Sequence, residues 1–114
     1  MSLDRLPSHL WIMGVIRREN DAGRPVYLLR RGEKMSGGLV VKLNLLDGGF
    51  RVLVQQRDLE GRLGWMGAMN DSAVDEEEAD SYIARTCERD PDLWAVEVER
   101  RDGDNPFAQG PELN

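Results

Sequence analysis

The stretch from Leu39 to Met69 reads LVVKLNLLDGGFRVLVQQRDLEGRLGWMGAM, and its alternation of apolar and polar residues decides the fold. Three alternating segments are separated by Asp47-Gly48-Gly49 and by Asp58-Leu59-Glu60-Gly61. Both separators are typical turn sequences, because glycine adopts positive φ without steric cost. Successive side chains of a strand point to opposite faces, so this pattern predicts an antiparallel meander.

The predicted register gives the meander one apolar face and one mixed face. The apolar face consists of Leu39, Val41, Leu43, Leu45, Phe50, Val52, Val54, Leu63 and Trp65. The mixed face carries Asn44 and Gln55 together with four cations, Lys42, Arg51, Arg57 and Arg62, which are the candidate ligand-binding residues. The alternative interpretation is a solvated face with cross-strand ion pairs, each worth about 0.2–1 kcal/mol.

Two helices and two further strands are predicted around the meander. A first helix covers about 8–22, with Ser8 as its N-cap and Gly23 as its stop. A second covers 72–89, where an acidic first turn suits the helix dipole and an apolar stripe includes Cys87. Strands at 26–31 and 93–100 complete the order α-β-β-β-β-α-β. The expected fold is therefore α+β, with a mostly antiparallel five-stranded sheet and both helices on its apolar face.

Length and composition indicate one domain. The chain has 114 residues, and we expect residues 1–100 to form the domain and 101–114 to form a C-terminal loop and partly flexible tail. A single cysteine excludes an intramolecular disulfide, and no apolar run approaches the roughly 20 residues of a membrane span. The N-terminus lacks the pattern of a signal peptide, so we expect a cytoplasmic protein that does not bind membranes.

The charge is divided unevenly along the chain. Residues 1–69 contain 11 Lys and Arg against 7 Asp and Glu, whereas residues 70–114 contain 4 against 14. The isoelectric point near 4.8 argues against tight, non-specific binding to nucleic acid. The favoured interpretation is that the two halves neutralise each other within one domain.

Catalytic and metal chemistry receive little support. His9 is the only histidine and lacks an evident nucleophile or orienting partner, and one His with one Cys cannot form the usual zinc site. No glycine-rich phosphate loop is present, so we expect no cofactor. The runs Asp75–Glu78 and Asp102–Asn105 are interpreted as a helix start and a turn. An enzyme using Asp58, Glu60 and Arg57 in one turn remains a third hypothesis.

Several segments of the sequence together carry a resemblance to a known protein family. In chain order they are Ser8-His9-Leu10-Trp11, Tyr27-Leu28-Leu29-Arg30-Arg31-Gly32, Val40-Val41-Lys42-Leu43-Asn44, Gln56-Arg57-Asp58-Leu59-Glu60-Gly61, Glu78-Ala79-Asp80-Ser81-Tyr82-Ile83-Ala84-Arg85, Asp90-Pro91-Asp92-Leu93-Trp94 and Asn105-Pro106-Phe107. They extend over nearly the whole chain and resemble a family of small alphaproteobacterial proteins known as domain of unknown function 1491. The resemblance implies a single-domain bacterial cytoplasmic protein and supplies no activity, cofactor or catalytic residue.

Two function classes follow from these observations. The first is a non-enzymatic binding or protein-interaction module, whose partner is another protein or a second copy in a homodimer. It is favoured because a free edge strand accepts a partner strand by β-augmentation. The alternative is an accessory protein that binds nucleic acid or another anionic ligand through the four cations of the mixed face. Trp11, Trp65 and Trp94 are interpreted as core residues and not as stacking platforms.

Overall fold

The elements of the structure, a computed structural model, follow the predicted order. The structure describes residues 5–111; residues 1–4 and the last three residues of the predicted tail lie outside it. The elements are α1 (Ser8–Asp21), β1 (Val26–Arg30), β2 (Leu39–Asn44), a 3-10 turn (Leu46–Gly48), β3 (Phe50–Arg57), β4 (Leu63–Gly67), the four-residue turn α2 (Ala68–Asp71), α3 (Glu76–Arg89) and β5 (Trp94–Glu99).

The five strands form one mixed sheet in the order β1-β5-β2-β3-β4. The pairs β1–β5, β2–β3 and β3–β4 are antiparallel, and β2–β5 is parallel. The predicted α+β class, the five strands and the mostly antiparallel arrangement are therefore confirmed. The last strand enters between β1 and β2, so β1 and β4 are the edges of the sheet.

The predicted register between the first two meander strands is wrong by one residue. Leu43 pairs with Arg51, and Val41 pairs with Leu53. Because paired residues share a face, Phe50, Val52 and Val54 lie on the face opposite Leu39, Val41 and Leu43. The cause is the connection, which is a five-residue loop containing the 3-10 turn and a positive φ at Leu46, not the tight turn predicted at Asp47–Gly49.

The two long helices lie on opposite faces of the sheet, which corrects the prediction that both lie on one face. Trp11, Ile12 and Val15 of α1 belong to a core cluster with Val41 and Val96. The α3 residues Ala79, Ile83 and Cys87 belong to a second cluster with Val40 and Ala95, which directly precede Val41 and Val96 in those strands. Consecutive strand residues point to opposite faces, so β2 and β5 are buried on both sides.

The ends of the helices follow local side-chain chemistry. The Asp75 carboxylate accepts a 2.8 Å hydrogen bond from the Glu78 backbone N–H and caps α3, as the acidic first turn predicts. Ser8 is not the N-cap of α1, because that position is held by Pro7 and no side chain caps the helix. The Ser8 hydroxyl instead donates to the Gly37 carbonyl at 2.7 Å and attaches the helix to the β1–β2 loop.

The C-terminal segment contributes to the core. Phe107 is completely buried, and its ring meets Trp11 edge-on with centroids 5.7 Å apart. Trp65 of β4 donates its indole N–H to the Ala108 carbonyl at 3.2 Å. The described part of the segment after residue 100 is therefore packed against α1 and β4, a role that its glycines and prolines did not indicate.

Candidate functional site

Lys42 lies on the α3 face and not on an exposed basic surface. Its side chain is only 4% exposed, and Nζ lies 2.8 Å from Glu76, 2.7 Å from Asp80 and 3.5 Å from Glu97. The parallel β2–β5 register places Lys42 directly beside Glu97, while Glu76 and Asp80 project from successive turns of α3. Nζ also lies 5.0 Å from the centroid of the Phe50 ring. These contacts connect α3 to the centre of the sheet.

The three carboxylates keep Lys42 charged. Burial lowers the pKa of the ammonium, but hydrogen bonds to Asp80 and Glu76 and the charge of Glu97 outweigh it and raise the pKa to about 12. Asn44 donates to Glu97 Oε2 at 3.1 Å and orients that carboxylate. Lys42 is therefore a fully charged structural cation at neutral pH.

The other three predicted ligand-binding residues do not converge with Lys42. Arg51 lies on the α1 face and pairs with Asp71, which follows β4. Arg57 lies at the end of β3, donates to the Gly61 carbonyl at 2.8 Å and borders a cleft of about 490 Å³ beside the start of α1. Arg62 pairs with Asp58 within the β3–β4 turn. The structure thus distributes the four cations over two faces and a turn, and ligand binding by any of them stays a prediction.

The residues considered for catalysis have local structural partners. Asp58 accepts from the Arg62 backbone and guanidinium, which lowers the pKa of its carboxyl, and Glu60 also pairs with Arg62. The cleft beside Arg57 is not lined by Asp58 or Glu60. Cys87 is buried, as predicted, and burial raises the pKa of its thiol. His9 Nδ1 lies 3.2 Å from the Lys34 carbonyl at an exposed position.

Two properties of residues 5–111 bear on the class of site. Within this range, no group of three or more His, Cys, Asp or Glu side chains is placed to hold a metal ion. No helix in the same range has the length and apolar character needed to cross a membrane.

Ion pairs join the basic and acidic halves of the chain. In some of them a first-half cation meets second-half carboxylates: Lys42 meets Glu76, Asp80 and Glu97, and Arg51 meets Asp71. In two others a first-half carboxylate meets a second-half cation, with Arg100 2.9 Å from Glu19 and Arg101 2.6 Å from Asp47. The pairs at Lys42 and Arg51 have the sense that the predicted internal neutralisation requires, whereas those at Arg100 and Arg101 have the opposite sense.

The outer side of β1 is partly covered by one amide side chain. The Glu99 N–H donates to the Pro25 carbonyl, and alternation along an antiparallel pair then turns the backbone groups of Val26 and Leu28 away from β5. Asn20 Oδ1 accepts from the Val26 N–H at 2.9 Å, and Asn20 Nδ2 donates to the Val26 carbonyl at 3.1 Å. After Val26, the next residue of β1 whose backbone N–H and C=O point away from β5 is Leu28.

Replacing Asn20 with alanine removes both hydrogen bonds. We expect the free energy of unfolding to fall by about 1–2 kcal/mol, since each bond contributes about 0.5–1.5 kcal/mol. Urea unfolding measures this loss, and amide hydrogen exchange at Val26 should become faster. Asn20→Asp, which keeps the acceptor and loses the donor, should have a smaller effect. Unchanged protection of the Val26 amide would show that Asn20 does not cover the edge.

α3 packs on the sheet around Val40, Val52 and Ala95, and a groove separates it from β1. The same face is uncovered at β1, where Tyr27 and Leu29 are 48% and 46% exposed. The groove has a volume of about 770 Å³. We call it the β1–α3 groove, and its apolar lining consists of Leu29, Ile83, Ala84, Cys87, Pro91 and Ala95.

The β1–α3 groove also carries an excess of negative charge. Its lining includes four carboxylates and two cations; the carboxylates are Glu76, Asp80, Glu88 and Glu97, and the cations are Lys42 and Arg30. Lys42 is already surrounded by three of the carboxylates, and Arg30 donates to the Pro91 carbonyl at 3.2 Å. The sequence prediction missed this groove, although the exposed apolar pattern of β1 was one available signal for it.

The fold and this groove define the class of the protein as a small α+β domain with a mixed sheet between two helices. The chain belongs to the family described as Protein of unknown function (DUF1491), whose model matches residues 6–108. The family predicted from the sequence segments is thus confirmed. A comparison with curated proteins finds no match.

Solved structures of other proteins share this fold. A crystal structure of a DUF1491 family protein from Caulobacter crescentus is 28% identical, with a TM-score of 0.76 over 96% of this chain and 99% of that one. An NMR structure of a DUF1491 family protein from the same organism is 27% identical, with a TM-score of 0.76 and 96% coverage of both chains. A solution structure from A. tumefaciens, 23% identical with a TM-score of 0.71 over 92% of both chains, shows the fold alone.

Proposed function

We propose that this protein is a non-enzymatic protein-interaction module that binds a partner segment along β1. The observation that carries the proposal is the exposed apolar side of this edge strand, where Leu29 lines the β1–α3 groove and Tyr27 is exposed on the same face. An added strand gains main-chain hydrogen bonds from the edge and buries alternate side chains against the adjoining face.

The β1 edge supports this role better than the other edge. β4 is joined to the C-terminal segment through Trp65 and continues directly into α2. Native edge strands are commonly protected by bulges and covering groups. Asn20 covers the first outward position of β1, and a register shift lies between Leu28 and Arg30. The 46% exposure of Leu29 supports access to this second half of the strand.

The alternative class, a protein that binds nucleic acid or another anionic ligand, receives less support from the geometry. Arg51 and Arg62 are paired with carboxylates, and Lys42 is buried on the other side of the sheet from Arg51. A phosphate-binding surface needs several cations on one accessible face.

Leu29→Asp tests the proposed function. The wild-type chain and the variant are immobilised, and proteins captured from an extract of the native organism are quantified by mass spectrometry. We expect at least one protein to be captured at least tenfold less by Leu29→Asp, because an added charge on the uncovered face opposes burial. The free energy of unfolding should change by no more than about 0.5 kcal/mol, as for other exposed positions.

Leu59→Asp is the matched control. Leu59 is fully exposed in the β3–β4 turn, far along the sheet from β1, and the substitution makes the same chemical change. It should capture the same proteins as the wild type. The proposal fails when Leu29→Asp and Leu59→Asp capture the same proteins in equal amounts.

A further inference from the structure

The charge of the β1–α3 groove identifies the chemistry of its partner, an inference that rests on the proposed function. Glu76 and Asp80 each contact Lys42 through one carboxylate oxygen, and both side chains remain 56% exposed. Three carboxylates therefore surround a single ammonium group at one end of the groove. Glu88 borders the other end, where the lining includes the apolar residues Cys87 and Pro91.

We infer that the β1–α3 groove binds an extended protein segment in which basic and apolar side chains alternate on one face. Every second side chain of a strand added to β1 points onto the α3 face, over the groove. An apolar side chain there meets Leu29, Ile83 and Ala95, which line the groove. A Lys or Arg side chain reaches the carboxylates of α3, whose excess negative charge it neutralises.

The spacing of the carboxylates predicts the spacing of the basic residues. Asp80 and Glu88 lie eight residues apart in α3, a distance of about 12 Å along the helix axis. Strand residues i and i+4 share a face and lie about 13 Å apart. The segment that fits is therefore basic–x–apolar–x–basic, with its central apolar side chain over Ala84 and Ala95.

A second copy of the chain fits the groove less well. The α3-face residues of its β1 are Tyr27, Leu29 and Arg30, and the Arg30 guanidinium already donates to the Pro91 carbonyl of its own chain at 3.2 Å. Pairing of β1 with β1 about a two-fold axis also places two grooves with the same negative excess on one continuous face, where their charges repel. Charge complementarity thus favours a basic segment of a different protein.

Selection from a random twelve-residue peptide library displayed on phage tests the inference on the full chain. We expect the wild-type chain to enrich peptides with the basic–x–apolar–x–basic pattern. On Glu88→Lys, enrichment of the basic residue at one end should fall at least fivefold, and acidic residues should replace it. Glu88 lies outside the contacts of Lys42, so this charge reversal leaves the ion pairs of α3 in place.

Glu77→Lys is the matched control, because Glu77 is an exposed α3 residue that does not line the groove. It should select the same peptides as the wild type, and thermal unfolding checks that each variant is folded. Leu29→Asp should lose the enrichment altogether. Fluorescence anisotropy with one selected peptide should then show binding that weakens as salt is added.

Four results would overturn the inference in distinguishable ways. Selected peptides whose binding is lost on Leu29→Asp but which lack basic residues would refute the partner chemistry. Peptides selected equally by the wild type and by Glu88→Lys would refute it too, and both results leave the proposed function standing. A dimer in sedimentation equilibrium that Leu29→Asp dissociates would assign the groove to a second copy. Absence of any peptide sensitive to Leu29→Asp would contradict both the inference and the binding role of β1.

Discussion

Replacing Lys42 with methionine is expected to lower the free energy of unfolding by about 3 kcal/mol, because removal of one partner of a buried ion pair leaves uncompensated charge. The methionine fills a similar volume but leaves Glu97, which is only 14% exposed, without its cation. It also removes the positive charge between Glu76 and Asp80. Urea unfolding at neutral pH measures the loss.

The pH dependence of this loss has a defined sign. The folded-state pKa of Lys42 is raised from 10.5 to about 12. The charged Lys42 therefore contributes its stabilisation fully below pH 10.5, and the contribution, about 2 kcal/mol by linkage, is lost as the pH rises through 12. The difference between the wild type and Lys42→Met should accordingly be constant at neutral pH and shrink in strong alkali.

Lys34→Met is the matched control for Lys42→Met. Lys34 is the only other lysine in the chain and is exposed, so this substitution should change the free energy of unfolding by no more than about 0.5 kcal/mol. Adding Glu97→Gln to Lys42→Met should recover part of the lost stability, because it removes the buried uncompensated charge. A loss below about 1 kcal/mol for Lys42→Met would show that the three contacts do not stabilise the fold.

Glu19→Gln is expected to cost about 2 kcal/mol, at the lower end for a buried ion pair because the arginine partners are partly exposed. Glu19 is 4% exposed and lies 2.8 Å from Arg24, 2.9 Å from Arg100 and 3.3 Å from Arg18. The glutamine keeps the shape and one acceptor oxygen but removes the charge shared by three arginines. The free energy of unfolding as a function of pH measures the effect.

The acid limb of that pH profile distinguishes the charge of Glu19 from its packing. The hydrogen bond from Arg24 lowers the pKa of Glu19 from 4.5 against an opposing effect of burial. This carboxylate therefore stabilises the fold fully above pH 4.5, and the contribution is lost as the pH falls through the lower folded-state value. The gap between the wild type and Glu19→Gln should shrink in acid.

Asp21→Asn provides a comparison on the same helix. Asp21 is 75% exposed and its contact with Arg17 is 3.9 Å long, so the substitution should change stability by less than about 0.5 kcal/mol. A gap between the wild type and Glu19→Gln that stays constant down to pH 2 would attribute the loss to packing alone.

The candidate site is the feature of the molecule that the sequence predicts least accurately. The sequence predicts one basic surface, and that surface can form only in the predicted register. Its residues are Lys42, Arg51, Arg57 and Arg62. A register shift of one residue placed Lys42 and Arg51 on opposite faces. The groove depends on Leu29, Ile83 and Ala95, which lie far apart in sequence, so no local pattern could have assembled it.

One local signal for the two-sided burial was nevertheless present. Leu39-Val40-Val41 and Trp94-Ala95-Val96 are runs of consecutive apolar residues, and such runs are typical of strands covered on both faces. Alternation along β3 predicts one apolar face, although Leu53 interrupts the alternation. These two runs lie in β2 and β5, which form the parallel pair at the centre of the sheet.

The sequence by itself determined the number and order of the two long helices and the five strands and the family to which the chain belongs. These depend on residue periodicity, on caps such as Asp75 and on turn residues, all of which act over a few neighbouring positions. Only the tertiary structure decided the insertion of β5 beside β2, the faces on which α1 and α3 pack and the partners of Lys42 and Glu19. Those features depend on strand register and on contacts between distant segments, where a shift of one residue exchanges the two faces and regroups every charge on them.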